Sequence, residues 1–126
     1  MSAAANKKAL VILVEEELDE RSAMTRLLSE AGFSVAAADT TDEALHLLES
    51  LREASVLVTD AHVPGAIDGW ELAHRARHLR PALAVVLMSG HSDPTSGPLP
   101  DGAEFILKPN VVANLVPTLQ RLTNTR

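Results

Sequence analysis

Residues suited to phosphoryl transfer onto a carboxylate stand at the ends of short apolar runs. Glu15 and Glu16 follow the first run, Asp60 the third, Ser89 the fourth and Lys108 the fifth. Such chemistry needs an acceptor oxygen, a divalent cation to offset charge, and donors for the phosphoryl oxygens. Asp60 can supply the nucleophilic oxygen, giving an acyl phosphate. Glu15 and Glu16 are of the right type to hold Mg2+, a hard ion that prefers oxygen ligands and retains waters. A backbone carbonyl near His62 could complete the protein's share of the ligands. Ser89 offers a hydroxyl donor and Lys108 a mobile ammonium, both suited to phosphoryl oxygens.

Those residues must be positioned by the elements that precede them. Residues 9–14 form a continuous apolar run rather than an alternating one, as expected of a strand covered on both faces. Met24, Leu27, Leu28 and Ala31 then fall at helical spacing, with Gly32 as a stop signal. A weaker, alanine-rich strand is expected over 34–38. Asp39, Thr40 and Thr41 offer caps for a helix carrying Ala44, Leu47, Leu48 and Leu51. Residues 55–59 read as the third strand, ending at Asp60. A loop with Pro64 and Gly65 leads to Asp68 or Gly69 and a helix carrying Leu72, Ala76 and Leu79. Residues 83–88 and 104–107 read as the fourth and fifth strands. This alternation implies an α/β fold, a five-stranded parallel sheet with helices on both faces. Sites in such sheets form outside the carboxyl ends of the strands, where the five residues stand.

One stretch departs from the alternation. Residues 91–102 carry three prolines and two glycines, so an extended loop is expected in place of a regular helix. In the last helix, Pro117 is accommodated if Asn114 is the cap, because Pro117 then falls in the first turn.

Composition narrows the remaining choices. The 126 residues suit one domain (1–126, core 7–124), and 46% hydrophobic content suffices for a packed globule. Only Phe33, Phe105 and Trp70 are aromatic, so the core is aliphatic. Cysteine is absent, which removes disulfides, thiolate metal sites and cysteine nucleophiles. A net charge of −6 disfavours nucleic acid or an anionic membrane as a direct partner. No apolar run approaches the roughly 20 residues needed to span a bilayer, and the first residues lack a secretory signal. A cytoplasmic location is expected.

In these ordered elements the sequence resembles a response-regulator receiver domain of bacterial two-component signalling. The matching pieces are Glu15-Glu16, Asp60, Pro64 with Asp68-Gly69, Ser89-Gly90 and Lys108-Pro109, spread over residues 7–124. The resemblance implies a doubly wound, flavodoxin-like (CheY-like) sheet of strand order 2-1-3-4-5. It implies Asp60 as phosphoacceptor, Glu15 and Glu16 as metal carboxylates with Asp60 and the His62 carbonyl, and Mg2+ as cofactor. Ser89 becomes the switch hydroxyl, Lys108 the phosphate-pairing lysine, and Phe105 the aromatic whose rotamer follows the hydroxyl. The implied partners are a histidine kinase or histidine phosphotransfer protein, and a downstream protein. Unless the chain is a fragment of a longer protein, output is expected through a protein contact or phosphorelay, from a monomer or weak homodimer. The implied role is that of a signalling domain with slow self-dephosphorylation rather than an enzyme.

The chain departs from that family at four points. Glu16 stands where aspartate is usual, and its extra methylene moves the carboxylate outward by about 1.5 Å. The loop after Asp60 is one residue longer, the proline-rich stretch replaces the family's fourth helix, and Asn110 replaces a common aromatic. A degenerate, non-phosphorylated receiver acting as an interaction module is the alternative reading. A small phosphohydrolase is disfavoured, since neither a P-loop nor a G-x-G-x-x-G is present and no second acid lies two residues beyond Asp60. His62 and His91 flank the pocket by this resemblance. There they would either be ordinary surface residues or gate water and tune acyl-phosphate lifetime.

Overall fold

The computed structural model describes residues 8–90 and 98–124. Five strands form one parallel sheet: β1 (Leu10–Val14), β2 (Ser34–Ala38), β3 (Val56–Asp60), β4 (Ala84–Ser89) and β5 (Glu104–Leu107). Their spatial order is β2-β1-β3-β4-β5, the doubly wound arrangement. The helices between them are α1 (Leu18–Glu30), α2 (Thr41–Ser50) and α3 (Gly69–Leu79), and α4 (Val111–Thr123) closes the chain.

The central strands are apolar up to their carboxyl ends because both faces are covered. Val11 to Val14, Val56 to Val58 and Val85 to Met88 are fully buried. Alternate residues enter different cores, as the twofold period of a strand requires. Ile12, Val14, Leu57, Val85 and Leu87 pack with α2 and α3 through Ala44, Leu48, Leu72, Ala73 and Ala76. Val11, Leu13, Val56, Val58, Val86 and Met88 pack with α1 and α4 through Met24, Leu28, Val111, Leu115 and Leu119.

Each of the first three helices starts on a side chain that accepts from orphan backbone donors. Glu17 accepts from the amides of Asp19 and Glu20, Thr40 from Glu43, and Asp68 from Glu71. Two expectations about helices change. Leu79 is largely exposed, and Trp70 and Ala73 are buried on α3 beside Leu72 and Ala76. The last helix begins at Val111 after a turn of 3-10 helix, Lys108–Asn110, so its cap is Asn110 and not Asn114. Burial of Val111 against the α1 side extends the helix backwards. Pro117 thus lies inside it, exposed, and the helical donor it lacks would have served the carbonyl of Ala113, itself an exposed residue.

Between β4 and β5, residues 98–103 hold no helix, and residues 91–97 lie outside the described residues. The segment entering β5 is pinned to α3: His74 Nε2 bonds the Pro98 carbonyl at 2.9 Å, and Arg77 Nε donates to the Asp101 carbonyl at 2.9 Å. Among the described residues no helix is long and apolar enough to cross a membrane.

Candidate phosphoacceptor site

The carboxyl edge of the sheet gathers most of the candidate residues. Asp60 is the last residue of β3 and only 7% exposed. Its Oδ1 accepts the His62 amide at 3.0 Å, which orients the carboxylate. Its Oδ2 lies 2.6 Å from the Lys108 ammonium, which enters from the turn directly after β5. Glu15, one residue beyond β1, is 2% exposed. Its Oε2 accepts the Glu17 amide at 3.0 Å, and its Oε1 lies 3.1 Å from Lys108 Nζ. Glu20, on the first turn of α1, completes the set at 2.9 Å from the same ammonium.

One cation therefore serves three carboxylates. Burial works against the Lys108 charge, but hydrogen bonds to Asp60 and Glu20 outweigh it and hold the ammonium's pKa well above its ordinary value. For Glu15 the balance goes the other way. Burial, helped by the negative charge of Asp60, raises its pKa against the opposing bonds from Glu17 and Lys108. Glu15 Oε1 is buried, and its close partner is the Lys108 ammonium, which it shares with Asp60 and Glu20.

The loops that carry these groups are held by backbone contacts. Arg21 donates to the carbonyls of Glu15 and Glu16 at 3.0 and 3.1 Å, clamping the turn between β1 and α1. The longer loop after Asp60 is tied to α2. The Thr41 hydroxyl donates to the Ile67 carbonyl at 2.7 Å, and the Thr41 amide to the Pro64 carbonyl at 3.0 Å. Gly69 gives α3 its close approach to β3: a Cβ there would collide with the Asp60 carbonyl oxygen. Its amide donates to the Ala61 carbonyl at 3.1 Å.

The other candidates are placed less centrally. Ser89 ends β4, buried, paired in register with Leu107 just before Lys108. Phe105 pairs with Leu87, so by strand alternation Phe105 and Ser89 share the α2–α3 face of the sheet. Phe105 is half-buried there against the aliphatic cluster. Glu16 is exposed, contributing its carbonyl to Arg21. His62 is exposed and reaches the site through its amide, and His91 lies outside the described residues.

Glu20 was not among the residues singled out by strand-end position, because it belongs to a helix. Its only sequence signal is a place in the turn after the acidic run. The donor set fits a hard cation in one respect: the buried carboxylates of Glu15 and Asp60 share a single ammonium, which leaves negative charge on oxygen ligands there. Among the described residues no three carboxylate or imidazole groups already converge on one point as a metal cage. Mg2+ ordinarily binds through one or two carboxylates plus waters, so this does not count against it.

A family model described as the response regulator receiver domain matches residues 11–120. The C4-dicarboxylate transport transcriptional regulatory protein DctD of Rhizobium meliloti is 35% identical over 119 residues, covering 92% of this chain but 25% of that protein. The response regulator receiver protein CpdR of Brucella abortus is 29% identical over 115 residues, covering 89% of this chain and 94% of CpdR. The solved structure of a response regulator receiver protein from Sinorhizobium medicae superposes with a TM-score of 0.84 at 28% identity. It covers 94% of this chain and 97% of that one.

Proposed function

The chain belongs to the response-regulator receiver domains of two-component signalling, and we propose that it accepts a phosphoryl group on Asp60 from a histidine kinase or histidine phosphotransfer protein. The observation that carries this reading is the Lys108 ammonium 2.6 Å from Asp60 Oδ2, with the buried Glu15 beside it. An Asp60 carboxylate oxygen attacks phosphorus, the bond from phosphorus to the donor imidazole nitrogen breaks, and the imidazole leaves with the electron pair. Lys108 turns from the carboxylate to the phosphoryl oxygens. The Ser89 hydroxyl donates to another of them, and Phe105, on the same face, moves with it. Glu15, Asp60 and the His62 carbonyl would hold Mg2+, with Glu16 at the rim. The ion supplies positive charge that offsets the phosphoryl oxygens.

The donor reaches Asp60 past the turn after β1 and the start of α4. Leu18 and Val112, 61% and 78% exposed, offer apolar contact there. Phosphorylation shifts an existing equilibrium, and a downstream protein reads the changed surface. Slow hydrolysis of the acyl phosphate resets the domain. Incubation with acetyl phosphate and Mg2+, followed by intact mass measurement, tests the proposal: the wild type gains one phosphoryl group and Asp60→Asn gains none. The exposure of Glu16, at the family's aspartate position, favours the second reading of a receiver that is only an interaction module. Absence of an adduct both from acetyl phosphate and from a cognate kinase selects that reading.

A further inference from the structure

Glu20 has no role in the reading above, yet it makes one of the three close contacts to Lys108. It differs from the other two carboxylates in burial. The Glu20 side chain is 50% exposed, whereas those of Glu15 and Asp60 are 2% and 9% exposed. It also comes from a helix rather than a strand end, so it draws the ammonium toward the rim. Beneath the pair, Met24, Met88 and Val111 line a cavity of about 190 Å³ with Glu20 and Lys108. The lysine therefore has apolar surroundings along its stem, and carboxylates decide where its head rests.

We propose that Glu20 is a positioning residue for the switch, holding the Lys108 ammonium at the rim and competing with the phosphoryl group for it. This rests on Asp60 being the acceptor. When Asp60 carries the acyl phosphate, its oxygen no longer offers Lys108 a full carboxylate charge, and the ammonium must choose between the phosphoryl oxygens and Glu20. Charge at position 20 thus weakens the hold on a phosphoryl group and favours the unmodified state. Shortening the residue to aspartate keeps the charge but retracts it, so Glu20→Asp should fall between the wild type and Glu20→Gln.

Beryllofluoride, an analogue of the phosphoryl group, provides the test, with Mg2+ present and Trp70 fluorescence or calorimetry as readout. Glu20→Gln should bind it about threefold more tightly than the wild type, the scale of one partly exposed ion pair. Asp19→Asn removes the same charge from the same turn without touching a partner of Lys108, and should change the affinity less. The Glu20→Gln gain should also shrink as salt rises, because the rim is open to solvent. Equal effects of Glu20→Gln and Asp19→Asn, or no tightening by Glu20→Gln, overturn the proposal. Failure of the wild type to bind beryllofluoride overturns the acceptor reading instead, and the inference with it.

Discussion

The two ends of the sheet each use cationic side chains to join elements distant in sequence, but in opposite electrostatic settings. At the carboxyl end, the Lys108 ammonium faces the carboxylates of Glu15, Glu20 and Asp60. At the amino end, the Arg80 guanidinium donates to the carbonyls of Leu48, Leu51, Arg52 and Ala54, at 2.6 to 3.4 Å. Arg77 does the same for Pro81, Leu83 and Asp101. A guanidinium is a rigid fork that fills several acceptors at the end of α2, where the helix dipole welcomes positive charge. An ammonium is a rotatable point charge that exchanges partners easily. The amino end is thus paired by neutral dipoles, whereas the carboxyl end keeps an excess of negative charge that a cation or phosphate-bound state can rearrange. The proposed function places switching at the carboxyl end, whereas the amino end serves structure.

Substitutions should separate the two ends, beginning with the largest effect. Asp60→Asn should abolish the acetyl phosphate adduct completely while leaving the protein folded, read by intact mass and circular dichroism. Arg80→Met should do the reverse, lowering unfolding free energy by about 2–3 kcal/mol in urea titrations, since several carbonyls lose a charged donor. Its beryllofluoride affinity should stay within about twofold of wild type. A large loss of binding in Arg80→Met at temperatures where it is folded would erase the contrast between the ends.

A smaller effect tests the excess charge directly. Glu15→Gln should raise stability by roughly 1 kcal/mol near neutral pH, because it removes a buried carboxylate that burial disfavours. The sign comes from linkage. Glu15 holds its proton to higher pH in the folded state than in the unfolded chain, so its contribution to stability is full at low pH and falls as pH rises through its raised folded pKa. Melting temperatures of wild type and Glu15→Gln should therefore diverge upward from about pH 4.5, the ordinary carboxylate range. The same substitution should weaken Mg2+ binding. A parallel pair of pH curves would show that Glu15 is not strained. Last, Arg121→Gln should change stability by less than about 0.5 kcal/mol, because its pair with Glu104 is exposed.

Sequence pattern read the carboxyl end better than the amino end. Asp60, Ser89 and Lys108 were legible because a parallel sheet whose strands are continuous apolar runs must bring the residues after those runs to one edge. Arg80 was not, since nothing in its local spacing marks a side chain that reaches carbonyls 26 to 32 residues back. The start of α4 was also misread, for a related reason. A proline argued for a late cap at Asn114, but burying Val111 against Met24 and Leu28 outweighs one lost hydrogen bond on a solvated face.

By itself the sequence determined the five-stranded alternation and the placement of an acid, a hydroxyl and a lysine at its carboxyl edge, because periodicity and turn chemistry are local. Only the tertiary structure decided how the charges are shared. Lys108 meets Glu20 across 88 residues of chain, and Glu15 becomes buried while Glu16 stays in water. Such pairings depend on which helix packs beside which strand end and at what angle, and neighbouring residues in the chain do not encode that.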